Sequence, residues 1–210
     1  MQTAKQEPRW ERRKDARPKE LIDAALEIFV EKGYAAARLD EVAKRAGVSK
    51  GTVYLYFTNK EELFKAVIRD GIVSDLANIE EIIDHFEGKT SDLLRVTLKS
   101  WWDNVGATPL AALLKVIVSE AGNFPEIVKF YYDEVISRRK RIILQILQRG
   151  IDNKEFRSVD LNTTLFLIVA PFPFLFIWEY SFAQCAPESV DPAAIINAHI
   201  DATLRGLARN

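Results

Sequence analysis

The stretch GVSKGTVYLYFTNKEELF, Gly47 to Phe64, constrains the fold of this chain more than any other. Its middle, Thr52 to Phe57, holds Val, Tyr, Phe and Thr, types that favour a strand. A strand there needs a sheet partner, and no second convincing strand occurs in the sequence. As a helix the same residues sort by face at about 100° per residue. Val53 and Phe57 then point inward toward Leu39 and Val42, Thr52 and Tyr56 share a second face, and Tyr54 projects from a third. Aromatic and β-branched residues cost roughly a few tenths of a kcal/mol each in a helix, which packing overrides. The helix reading prevails.

Its surroundings agree. Leu21, Ile22, Ala25, Ile28 and Phe29 recur at helical spacing, Pro18 suits a first turn, and Gly33 is a helix stop, giving a helix over 18–32. Leu39, Val42, Ala43 and Ala46 predict a short helix over 39–46, closed by Gly47. Ser49 is a good N-cap for the next helix, so residues 38–57 form a helix-turn-helix. Asn59, with Glu62 three positions on, caps a further helix that reaches about Phe86 before Gly88. Residues 1–17, with Arg9, Arg12, Arg13, Lys14 and Arg17, read as a flexible basic arm. Further helices are expected near 91–105, 109–121, 125–151, 161–182 and 192–208, with Pro171 and Pro173 kinking or splitting the fourth of these. The fold class is all-α, with an N-terminal three-helix domain over 15–75 and a helical domain over 76–210.

Charge separates the two parts. Residues 1–60 carry 13 Lys and Arg against 9 Asp and Glu, and the remaining 150 carry 16 against 21. A basic half on an acidic chain fits either a polyanion partner or a solvated surface. The single cysteine, Cys185, excludes an intrachain disulfide and a cysteine-based zinc site. The charged N-terminus lacks a signal core, which points to the cytoplasm. The longest uninterrupted apolar run, Leu165–Trp178, has 14 residues, short of the roughly 20 that span a bilayer, so no membrane role is expected.

The residues around the opening motif suit a phosphate backbone. Lys60 sits in a helix's first turn, where the dipole disfavours a cation unless an anion completes the site. Ser49, Lys50, Gly51 and Thr52 supply a second helix start with a hydroxyl, an ammonium and close backbone approach. Tyr54 and Tyr56 add phenolic hydroxyls on rigid rings. Such contacts position a protein on double-stranded DNA, while Lys50 has the reach to read guanine O6 or N7 in the major groove.

Ala24 to Phe64 resembles the DNA-binding domain of the TetR family of bacterial transcription regulators. The resemblance is carried by Ala25, Phe29, Gly33 and Tyr34, then DEVAKRAGVSKGTVYLYFTNKEELF, in ungapped register. It implies a homodimer on a near-palindromic operator, with Lys50 and Gly51 near bases and Thr52, Tyr54, Tyr56 and Lys60 on phosphates. It also implies a C-terminal domain holding a small-molecule effector and dimerising through the last two helices. One departure is visible: Ala37 and Arg38 stand where the family commonly has Thr or Ser before the second helix. Arg38 is an added candidate phosphate contact.

In the C-terminal part, the candidate effector-lining residues are Phe86, Trp101, Trp102, Phe130, Tyr131, Phe172 and Phe176, whose aromatic character suits a mostly apolar ligand. For any single one of them, plain core or dimer interface is the stronger reading. The run Arg138–Arg141 reads as a solvated helix face. No nucleotide loop, catalytic triad or metal-ligand cluster occurs, so neither an enzyme nor a cofactor is expected. The function expected is a sequence-specific DNA-binding repressor released by the effector. An activator, a ligand-independent regulator and a helical protein-interaction module are the alternatives.

Overall fold

A computed structural model of the chain describes residues 9–187 and 189–209, with side chains from Arg17 onward. The regular structure is helical, and the one pairing of extended backbone among these residues is an isolated bridge between Phe156 and Ala208. The chain divides into two compact units, Met1–Asp70 and Gly71–Asn210. The sequence reading places that division five residues later, at 75/76.

The first unit holds α1 (Arg9–Ala36), α2 (Leu39–Arg45), α3 (Lys50–Tyr56) and α4 (Lys60–Ile68). The basic arm expected over 1–17 falls outside the described residues up to position 8, and from Arg9 onward it is helix, not arm. Pro18 thus lies inside α1 instead of opening it. Nine residues of mostly good helix formers precede it, and their summed propensity offsets one proline. Gly33 takes φ 77°, a left-handed conformation that interrupts α1 where the sequence places its stop. Gly47, at φ 65°, turns the chain between α2 and α3. Both predicted caps form: Ser49 Oγ accepts from Thr52 N at 3.2 Å, and Asn59 Oδ1 accepts from Glu62 N at 2.8 Å. The core joins α1 to α2 and α4 and α2 to α3, around Leu21, Phe29, Val53, Leu63 and Phe64, all without exposed surface.

The second unit contains α5 (Ser74–His85), α6 (Thr90–Trp101), α7 (Ala112–Glu120), α8 (Pro125–Tyr131), α9 (Ser137–Asp152), α10 (Leu161–Val169), α11 (Pro171–Ile177) and α12 (Pro192–Leu207). Five-residue π turns at Trp102–Gly106, Tyr132–Ile136 and Trp178–Phe182 extend or join these helices, and a fourth, Arg69–Val73, follows α4. One consequence is that 125–151, read as a single helix, becomes α8, a π turn and α9. Within this unit α9 packs against α6 and α10, α6 also against α12, and α7 against α11.

The turn after α9 ties three elements together. Glu155 accepts hydrogen bonds from Thr90 N at 2.9 Å and Thr90 Oγ1 at 2.7 Å, capping the start of α6 from a distance in sequence. Burial pushes its carboxyl up, but the Thr90 and Ser91 hydrogen bonds outweigh that and hold it below its ordinary value of 4.5. A depressed carboxyl contributes stability above the unfolded value and loses it as pH falls through the folded one. Glu155→Gln is therefore expected to lower stability at pH 7 by about 1 kcal/mol, allowing for solvent screening. Urea midpoints of variant and wild type should converge as pH drops below the ordinary value of 4.5. A difference independent of pH would refute the cap.

The segment expected over 161–182 is split at its prolines, α10 ending at Val169 and α11 beginning at Pro171. Helical structure nevertheless resumes at once and runs from Leu161 to Cys185, 25 residues, with a mean hydropathy of 1.8 over its most apolar part. By length and composition alone this stretch is sufficient to cross a membrane, and only 28% of its most apolar window is buried within the chain. Phe166, Leu167 and Phe174 are exposed on it.

Candidate nucleic-acid interface and effector cavity

In the first unit, α3 is held by its inner side and leaves the rest open. Val53 has no exposed surface, whereas Leu55 is 82% exposed. Phe57, expected as a second inward anchor, is instead the C-cap residue in an extended conformation (φ −133°, ψ 117°) and only half-buried. The helix ends at Tyr56, one residue too soon for Phe57 to share the Val53 face.

Four of the candidate DNA-contacting residues converge. Arg38, Lys50, Tyr54 and Lys60 line an open, mostly polar groove of about 310 Å³, with Asp40 and Asn59 on its wall. Lys50 Nζ pairs with Asp40 Oδ1 at 2.8 Å, which raises the lysine's pKa and lowers the aspartate's. Both side chains are exposed, so this pair is screened and readily exchanged for an anion on a ligand. The ammonium also lies 5.9 Å from the Tyr54 ring centroid. Lys60 is placed differently. Its Nζ donates to Tyr34 O at 2.7 Å and Ala35 O at 2.9 Å, satisfying carbonyls at the end of α1, and sits 4.6 Å from the Tyr34 ring centroid. Ser49, Gly51, Thr52 and Tyr56 lie outside the groove on the same short helix and its cap. The Ser49 and Thr52 hydroxyls are 2.9 Å apart, within one hydrogen bond. Arg38 occupies the N-cap position of α2 with no side-chain cap, so the missing hydroxyl is not replaced. Asp40 and Glu41 in the first turn favour the helix start instead.

The second unit contains an apolar cavity of about 210 Å³. Of the predicted lining, Trp101, Tyr131 and Phe176 reach it. Phe86, Trp102, Phe130 and Phe172 do not line it. Phe172 is instead core, stacked on Trp101 with ring centroids 4.1 Å apart and planes 6° from parallel. Trp102 is also buried, stacked on Phe176 at 6.2 Å. Phe86 is the C-cap residue of α5, its carbonyl accepting from Arg149. The rest of the wall includes Leu114, Val135, Leu165 and Pro173, and also Arg139 and Lys140. The reading of Arg138–Arg141 as a solvated face is thereby corrected, because Arg139 is buried. The signal lay in the register: Val135, Arg139, Ile142 and Ile146 follow a helical period and are all buried.

Residues 21–67 match the family described as bacterial regulatory proteins, tetR family. The fatty acid metabolism regulator protein of Bacillus subtilis (strain 168) is 30% identical over 147 residues, 69% of this chain and 74% of that protein. The chain belongs to the TetR family. It is accordingly a DNA-binding transcription regulator with a helix-turn-helix unit followed by a helical unit. Another TetR-family relative, the transcriptional repressor KstR2 of Mycolicibacterium smegmatis, is 26% identical over 151 residues, 71% of this chain and 72% of that one. The crystal structure of FadR from Bacillus subtilis in complex with stearoyl-CoA superimposes with a TM-score of 0.71. It covers 90% of this chain and 98% of FadR at 23% identity, a likeness that speaks to the fold.

Proposed function

We propose that the chain is a cytoplasmic repressor that binds a near-palindromic operator as a homodimer and leaves it when a small, mostly apolar effector occupies the second unit. The observation that carries the DNA part is the convergence of Arg38, Lys50, Tyr54 and Lys60 on one exposed groove beside α3. The effector part is supported by the apolar cavity, and by a relative of the same fold whose structure holds stearoyl-CoA. Homodimerisation through the last helices is supported by the large exposed side chains Phe166, Leu167, Phe174 and Ile195 on α10, α11 and α12. Large exposed apolar side chains gathered on the last helices suit an interface. The same dimer would cover the stretch that otherwise has the length of a membrane span. For release, the effector must bind the DNA-free state more tightly, since equal affinity shifts nothing.

Retention of genomic fragments by the purified protein, beginning with the region beside its own gene, identifies the operator. Deletion of the gene should then raise transcription from that region, and a fall would make the protein an activator. Arg38→Ala removes an exposed charge without removing a cap. It is expected to weaken binding about equally on all sequences and to reduce the salt slope by about one. An unchanged affinity and slope would take Arg38 out of the interface.

A further inference from the structure

The cavity in the second unit has an electrostatic peculiarity. Among the described residues its wall carries two cations, Arg139 and Lys140, and no carboxylate. Arg139 is 9% exposed and its Nη2 has no hydrogen-bond partner. It lies between the 210 Å³ cavity and a second void of about 10 Å³, and lines both. Its guanidinium carbon sits 3.8 Å from the centroid of the Trp101 ring, an attraction that offsets part of its burial. No carboxylate among the described residues forms an ion pair with it. Asp75, whose negative charge acts on it, spends Oδ1 on Asn104 at 2.7 Å and leaves Oδ2 unpaired. Burial consequently draws the guanidinium down to about 10, against the opposing pull of Tyr131 and Asp75.

A buried charge whose nearest carboxylate does not pair with it directly is expensive, and an anionic ligand relieves that cost where a neutral one relieves only part of it. We propose that the effector is a small apolar carboxylate whose head group pairs with Arg139 while its hydrocarbon part lies among Trp101, Leu114, Val135, Leu165 and Phe176. The planar guanidinium matches a carboxylate in a two-point pair. The cavity, at about 210 Å³, is smaller than typical sites for drug-sized ligands of roughly 300–1,000 Å³. A compact head at the Arg139 end fits that volume, and a bulky phosphorylated head does not. The inference rests on the cavity being the effector site.

The test is calorimetric titration of the full chain with octanoate and with octan-1-ol, alongside release of the retained DNA fragment. Wild type is expected to bind octanoate roughly tenfold or more tightly than octanol. Arg139→Met should erase that preference while keeping octanol binding, and Arg139→Lys should retain part of it. Lys140→Met should leave the preference in place. Equal binding of the two probes by wild type, which requires no variant to fold, overturns the carboxylate and leaves an apolar effector standing. A preference that survives in Arg139→Met, or disappears only in Lys140→Met, overturns the role of Arg139. Failure of both probes to bind overturns the inference together with the cavity reading. Octanoate binding with the stated preference but without DNA release supports the site and contradicts its regulatory use.

Discussion

Phe64→Ala is expected to remove about 3–5 kcal/mol from the N-terminal unit and DNA binding with it. Phe64 comes from α4 and has no exposed surface. Its ring meets Phe29 edge-on at 4.9 Å and Tyr34 at 5.1 Å, both from α1. Those three rings join the longest helix of the unit to the helix that follows α3. A unit of 70 residues buries a small core, so one such loss consumes much of its stability. The measurement is hydrogen exchange on peptides from residues 21–68, where protection should fall by two orders of magnitude or more, since about 1.4 kcal/mol is tenfold. In a Trp10→Phe background, fluorescence from the remaining tryptophans, Trp101, Trp102 and Trp178, all in the second unit, should change little. Protection within about tenfold of wild type would mean that the rings do not hold the unit together.

Gly150→Ala should destabilise the second unit by about 3 kcal/mol, the upper end of overpacking costs. A Cβ at this position would fall 2.1 Å from Cδ2 and 2.4 Å from Cε2 of Phe156. The ring cannot simply move aside. Phe156 N donates to Gly150 O at 2.9 Å, its backbone bridges to Ala208, and Arg157 N donates to Leu207 O at 2.9 Å. Gly206, by contrast, has open space around the corresponding position, so Ala there meets nothing. Urea unfolding followed by tryptophan fluorescence checks this. The cost should shrink sharply in a Phe156→Ala background, because the two changes share one contact. Additive costs would place the damage of Gly150→Ala elsewhere.

Local chemistry was the legible part of the sequence. The caps at Ser49 and Asn59, the left-handed glycines at positions 33 and 47, and the helical course of Thr52–Tyr56 each follow from a few neighbouring residues. What the sequence hid depends on tertiary packing. The π turns carry no residue signature in this chain, and they divide 125–151 into pieces no periodicity would separate. Phe57 falls one residue past the end of α3, a helix length that its neighbours in sequence do not announce. Arg139 was hidden by its charged neighbours: Arg138 does reach outward to Glu80, whereas the next residue turns inward with Ile142. Of the aromatic candidates for the cavity, those that fill core instead, such as Phe172 against Trp101, have the same composition as those that line it. Composition cannot separate core from cavity wall, since both favour large apolar side chains.

If α3 and the groove beside it read duplex DNA, rounds of selection from a pool of random duplexes by the purified chain will show it, run in parallel with Lys50→Ala. Wild type should enrich an inverted repeat, and the variant should lose about 1–3 kcal/mol on it and relax the preference at one symmetric pair of positions. Failure of wild type to enrich any repeat, or an unaltered repeat with Lys50→Ala, would mean that this face does not read DNA.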